Sequence, residues 1–237
     1  MQTTRWSLVR SAALPREMLA SQQALEELCA TYWFPLYAFA RRKGQNANDA
    51  HDSVQGFFLE LLEGSFLTKA DETRGKFRSF LLKSFSNFLL GEHRAATAAK
   101  RGGQAVHESI GQFDGESRYQ VAANSESPEQ LFERQWVMAL LDAAIEKLKQ
   151  EYHESGKGEL CDRLLPHLTQ AADLRPYAEI AESLAMQETA IKVAMHRMRK
   201  RYRDLLRQQV ADTVQPATEA EVDEELKWLM TVLARGG

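Results

Sequence analysis

The chain has 237 residues, 44% of them hydrophobic and 27% charged, with a formal net charge of −3. That is the composition of an ordinary soluble protein, long enough for one large or two small domains. There is no run of about 18 apolar residues that a membrane span requires, and "MQTTRWSLVR" has no apolar core before a cleavage site, so a cytoplasmic protein without membrane insertion is expected.

Apolar residues recur at helical spacing along most of the sequence, and neither sustained alternation nor a hairpin signal interrupts them. The expected fold is all-α: two helical domains joined by a flexible linker. After an N-terminal extension, 1–16, comes a first domain at 17–100. Its first helix, Leu25 to Arg42, carries Leu28, Tyr32, Leu36 and Phe39 on one side, with a bend expected at Pro35. Val54, Phe57, Phe58, Leu61 and Leu62 form the next stripe, followed by Phe77, Phe80, Leu81, Phe85, Phe88 and Leu89.

Periodicity dissolves at 101–128, "RGGQAVHESIGQFDGESRYQVAANSESP", an acidic linker. It returns in a second domain, 129–210, with Trp136, Leu140, Leu141, Ala144, Ile145 and Leu148, then Leu160, Leu164, Leu165 and Leu168. An acidic extension, 211–237, holds a short amphipathic segment of Val222, Leu226, Leu229, Met230 and Leu233, suited to dock on either domain or on a partner. Cys29 and Cys161 lie far apart without a CxxC, which suggests buried apolar residues rather than a disulfide or zinc site. Neither metal nor cofactor is expected.

Charge is segregated. Lys69 to Arg101 holds eight Lys or Arg against three acids, and Glu108 to Glu133 holds six acids against one Arg. Ile191 to Arg207 then holds seven Lys or Arg against Asp204 alone, and the tail after Val210 holds six acids against two bases. Two basic helical regions point to a polyanionic partner more than to solvated surface.

At 176–207, Pro176 opens a helix in which Tyr177, Ile180, Ala181 and Leu184 face inward. A break at Ala185 and Met186 leads into a second helix near Gln187, which is a helix-turn-helix pattern. Such turns favour Gly, and Ser or Thr at the second helix's start, so Ala185 and Gln187 depart from the pattern. Ile191, Ala194, Met198, Tyr202 and Leu205 make the inward stripe of that helix, whereas Lys192, His196, Arg199 and Arg203 line the opposite face. A helix entering the major groove needs one apolar face toward its own domain and one cationic face toward phosphates and base edges. In the other basic block, Arg74, Lys76, Arg78, Lys83, Asn87, His93 and Arg94 accompany a high density of Phe. These rings suit a helical core, and they also suit stacking with unpaired bases.

In this order the segments resemble an extracytoplasmic-function (ECF) type sigma factor of bacterial RNA polymerase. "DAHDSVQGFFLELLE" is similar to the family's polymerase-binding helix, and the resemblance assigns Asp49, Asp52, Gln55 and Phe58 to core polymerase. "GKFRSFLLKSFSNFLLGEHR" is similar to the promoter-melting segment, with Phe80 where Trp is usual. It assigns Phe77, Lys83, Asn87 and Arg94 to the minus-ten element. "YAEIAESLAMQETAIKVAMHRMRKRYR" is similar to the helix-turn-helix that reads the minus-thirty-five element, and assigns Lys192, His196, Arg197, Arg199 and Arg203 to it.

The resemblance implies core RNA polymerase and promoter DNA as partners. It adds an anti-sigma factor or a Ser/Thr kinase as candidate regulators, and a linker that runs toward the template-strand channel. Gly56 stands where an acid is usual, and Ser53 beside it is a candidate for phosphorylation that would restore the charge. The alternative is a stand-alone helix-turn-helix regulator in which 77–94 is plain core; pull-down of core polymerase separates the two. An enzyme is not expected: P-loop, HExxH, GxSxG and dinucleotide fingerprints are all absent. A structural adaptor gives no reason for the charge segregation. The acidic linker and tail beside two basic faces also suggest autoinhibition by intramolecular pairing.

Overall fold

The structure is a computed structural model that describes residues 19–63, 76–99, 115–122, 126–169, 174–213 and 218–235. Among these the fold is all-α, as the periodicity predicts. The expected extension 1–16 and Arg74 lie outside the described residues.

The chain forms two compact units. One takes the described residues up to Ala139 together with those from Ala211 onward, and the other is Leu140–Val210. The first opens with α1 (Leu19–Arg42), which continues through Pro35, and α2 (Ala47–Glu63). Between them the Gln45 amide donates to the Ala40 carbonyl and the Gly44 amide to that of Arg41, with Gly44 at φ 100°. This left-handed closure satisfies the last carbonyls of α1. Asn46 then caps α2, its Oδ1 accepting from the Asp49 amide at 2.9 Å.

Next come α3 (Phe77–Ala99), α4 (Gly115–Ala122), the first half of α5 (Pro128–Glu154) and α10 (Glu219–Ala234). The core is aromatic: Phe57 and Phe85 lie 5.1 Å apart, Phe39 and Phe85 6.1 Å, and Tyr32 meets Phe77 edge-on at 5.5 Å. Each fully buried ring of this kind stabilises by roughly 2 kcal/mol. α4 falls inside the expected linker. It docks on α1 through Glu116, which accepts from the Tyr37 hydroxyl at 2.6 Å and from Arg41 Nε and Nη2 at 2.9 and 2.8 Å.

The second unit holds the rest of α5, α6 (Gly158–Leu164), α7 (Pro166–Thr169), α8 (Tyr177–Ser183) and most of α9 (Glu188–Ala211). Ala144, Leu148, Cys161, Leu164, Ile180, Ile191, Met195, Met198 and Leu205 form its core. Cys161 is buried and its thiol pKa is raised by that burial, in keeping with an apolar role; Cys29 is half-buried. Gly156, at φ 71°, closes α5 by the same pair of hydrogen bonds that Gly44 uses.

Candidate nucleic-acid interface

The helix-turn-helix forms where the sequence places it. Ile180 and Ala181 anchor α8, and Leu184 to Gln187 connect it to α9. The Met186 amide donates to the Ala181 carbonyl at 2.9 Å and the Ala185 amide to that of Glu182 at 3.2 Å. This is the closure of Gly44 and Gly156 once more, but here an alanine occupies the left-handed position at φ 50°. A side chain there costs roughly 1–2 kcal/mol.

On α9 the buried residues are Ile191, Met195, Met198, Leu205 and Val210, with Ala194 and Tyr202 partly buried against the same core. Met195 is thus an inward residue that the expected stripe omits. Lys192, His196, Arg197, Arg199 and Arg203 are all exposed. Four of them, Lys192, His196, Arg199 and Arg203, follow one another at helical spacing along one side. Arg197 stands apart: with Arg201, Val193, Ala190, Met186 and Tyr152 it lines a groove of about 660 Å³. The ion pairs of Lys192 with Glu188 at 2.7 Å and of Arg201 with Glu151 at 2.6 Å are solvent-exposed, so they hold their cations weakly.

α3 presents a comparable strip. Ser79, Lys83, Asn87, Leu90 and Arg94 are exposed and recur every three or four residues, so they share one face. Phe77 does not join them. It is buried at 1% exposure against Tyr32, and aromatic bulk at the first turn is spent on the core. Arg78 leaves the expected cationic set as well. It is 6% exposed and pairs with Glu225 of α10, as does Lys76. The Arg78 guanidinium lies over the Trp228 ring at 4.0 Å and the Trp136 ring at 4.6 Å.

α2 exposes Asp49, Asp52 and Gln55, spaced by three. Asp49 also receives a 2.7 Å bond from the Asn46 amide, which orders the first turn. Phe58 is buried, with its ring 6.1 Å from that of Phe57, so it supports this row from beneath rather than standing in it. Gly56 lies against α3: a Cβ there would stand 3.4 Å from Phe88 Cζ. Ser53 is 4% exposed, and its hydroxyl accepts from Gln45 Nε2 at 3.0 Å and donates to Glu92 Oε2 at 2.7 Å. A phosphoryl group at Ser53 would be buried against a carboxylate, which argues against the expected phosphorylation switch.

Sequence reasoning missed Glu225. The buried face of α10 is Val222, Glu225, Leu229 and Val232, and Met230, expected inside, is 68% exposed. The expected stripe of Val222, Leu226, Leu229, Met230 and Leu233 assumes that no acid turns inward; Val222 and Leu229 are buried as expected, and Glu225, meeting Arg78, is buried with them. The signal in the sequence is the spacing of Val222, Glu225, Leu229 and Val232, which is that of a buried seam with one acid in it. Among the described residues, no three His, Cys, Asp or Glu side chains gather as a metal site, and no helix is long and apolar enough to cross a membrane.

The ECF RNA polymerase sigma factor SigE of Mycolicibacterium smegmatis is similar to this chain. It is 25% identical over 198 residues, which cover 84% of this chain and 67% of the relative. No family model and no solved structure matches the chain.

Proposed function

We propose that this protein is a transcription initiation factor of the ECF sigma type, which binds core RNA polymerase and directs it to promoter DNA. The observation that carries the reading is the pair of exposed cationic rows in two separate units, Lys83–Asn87–Arg94 on α3 and Lys192–His196–Arg199–Arg203 on α9. One row suits a melted strand, where an amide reads a base edge between phosphate contacts. The other, on the second helix of a helix-turn-helix, suits a duplex. The likeness to a named sigma factor over most of the chain supports the same reading.

In this proposal Asp49, Asp52 and Gln55 contact core polymerase, while Phe58 and Phe77 hold α2 and α3 in place from within. Arg197 contributes from the side of the groove. The protein is not an enzyme, and it works in the cytoplasm with polymerase and DNA. The burial of Phe77 and Arg78 favours one second reading, a stand-alone regulator that uses α8 and α9 alone.

Run-off transcription with core polymerase on a genomic promoter pool tests the proposal. Start sites that require the protein are expected. Asn87→Ala and Arg199→Ala/Arg203→Ala should each reduce them about tenfold, a loss of roughly 1.4 kcal/mol in DNA contact. The α9 double variant should also lower the salt slope of duplex binding by about 0.9 per phosphate contact removed. Duplex binding without capture of core polymerase would select the stand-alone regulator.

A further inference from the structure

The first turn of α3, the first half of α5 and α10 meet at Glu225. An acid at 2% exposure is costly to bury, and here two cations, Lys76 and Arg78, converge on its two oxygens. Trp228 lies beneath both, 5.5 Å from Lys76 Nζ and 4.0 Å from Arg78 Cζ. A guanidinium and an ammonium directed at one pair of oxygens is the donor set that suits a phosphate.

Stability alone does not account for the acid, because a buried ion pair can be replaced by apolar residues of similar volume with little loss. The outward side of α10 strengthens the point. Glu219, Asp223 and Glu224 are exposed there, so docked α10 brings negative charge to the end of the helix that carries Lys83, Asn87 and Arg94. Such a field repels a polyanion.

We propose that Lys76 and Arg78 form a site for the phosphodiester backbone of single-stranded DNA, which Glu225 fills from within the chain, so that α10 is a latch the nucleic acid must displace. The inference rests on the reading of α3 as a DNA-facing helix.

The test uses the full chain without polymerase, and a fluorescein-labelled mixed-sequence single-stranded oligonucleotide, with binding followed by anisotropy across salt. Glu225→Gln/Trp228→Ala is expected to bind about tenfold tighter than wild type at low salt, with a slope steeper by about 1.4 for two phosphates at 0.7 each. Adding Lys76→Gln/Arg78→Gln should return both values to wild type. An unchanged affinity, or a gain that survives loss of the two cations, overturns the proposal.

Hydrogen exchange on the wild-type protein avoids any dependence on how the variants fold. Amides of 219–234 should lose protection when the oligonucleotide saturates the protein, and undiminished protection with DNA bound overturns the latch. Because polymerase is absent, failure here leaves the transcription result standing, and failure of run-off transcription leaves this site to be judged by its own binding data.

Discussion

α3 and α9 are both basic helices, and they differ in the acids that reach them. On α9 one partner is local, Glu188 one turn before Lys192, and the other, Glu151, is 50 residues from Arg201, and both pairs stand in solvent. At the start of α3 the partner is Glu225, 147 residues from Arg78, and it is buried. Other remote acids of the first unit close on cations nearer to water: Glu116 holds Arg41 at a part-exposed site, and Glu129 meets Lys43 at 3.1 Å where both side chains are exposed. Acidic blocks that look like separators in the sequence fold back onto the basic elements of that unit. Segregated charge therefore records internal complementarity on α1 and α3, and an outward cationic face on α9.

The sharpest way to break this contrast is to remove the buried carboxylate. Glu225→Ala leaves Arg78 without its buried partner, and should lower the unfolding free energy of the first unit by about 3 kcal/mol. Arg78→Met/Glu225→Met should recover most of that loss. Arg199→Ala/Arg203→Ala, made where both cations are exposed, should change stability by less than about 0.5 kcal/mol. Urea denaturation followed through Trp136 and Trp228, whose rings lie 6.1 Å apart, reads the first two directly. A loss at Glu225 as small as that on α9 would mean that the two helices do not differ in this way.

The turn that sets α9 in place offers a gain in stability. Gly44 and Gly156 adopt left-handed backbone at their helix ends, whereas Ala185 does so with a Cβ. Ala185→Gly relieves that strain at the cost of greater freedom in the unfolded chain, so a net gain of about 1 kcal/mol is expected. Thermal unfolding of the full chain should show the transition of the second unit moving upward by a few degrees. Unchanged DNA binding in the same variant would show that the turn's strain has no part in presenting the cationic row.

Much of this architecture was legible in the apolar spacing. Leu28, Tyr32, Leu36 and Phe39 are all buried, as are Val54, Phe57 and Leu61, and the break at Ala185 lies where the sequence locates it. Spacing reports which residues share a face, and it says less about how far a face extends. Phe58 and Phe77 carry residue types suited to a partner's surface, yet each lies at the edge of a stripe that the core takes up. Arg78 and Glu225 were beyond reach for a different reason. Each alone is a charge that belongs in water, and only a partner remote in sequence makes burial of either affordable. The exposed rows on α3 and α9 were legible because nothing remote is needed to leave a cation in solvent.

The smallest expected effect concerns α4, where Glu116 holds a cation at a half-exposed site. Its hydrogen bonds from Arg41 keep the carboxyl below the ordinary carboxylate range, and the Tyr37 hydroxyl acts in the same direction against partial desolvation. A carboxyl whose folded pKa is lowered stabilises fully above its unfolded value, and that contribution disappears as pH falls through the folded value. Protection of the 115–122 amides should therefore hold from neutral pH to about 5 and decline below about 4, near where free carboxyls titrate. Tyr37, whose phenol pKa is raised first by burial and then by Glu116, remains a donor throughout. Glu116→Gln should remove the acid dependence and loosen α4 at every pH, at a cost of no more than about 1 kcal/mol, as suits a pair within reach of water. A buried latch at Glu225 and a wet clasp at Glu116 would then differ in scale while sharing one device, an acid from a late segment closing on a cation of the first helices. If instead α4 keeps its protection in acid, apolar contact through Tyr119, packed with Ala38 and Leu131, holds it, and the charge complementarity of the linker serves some other purpose.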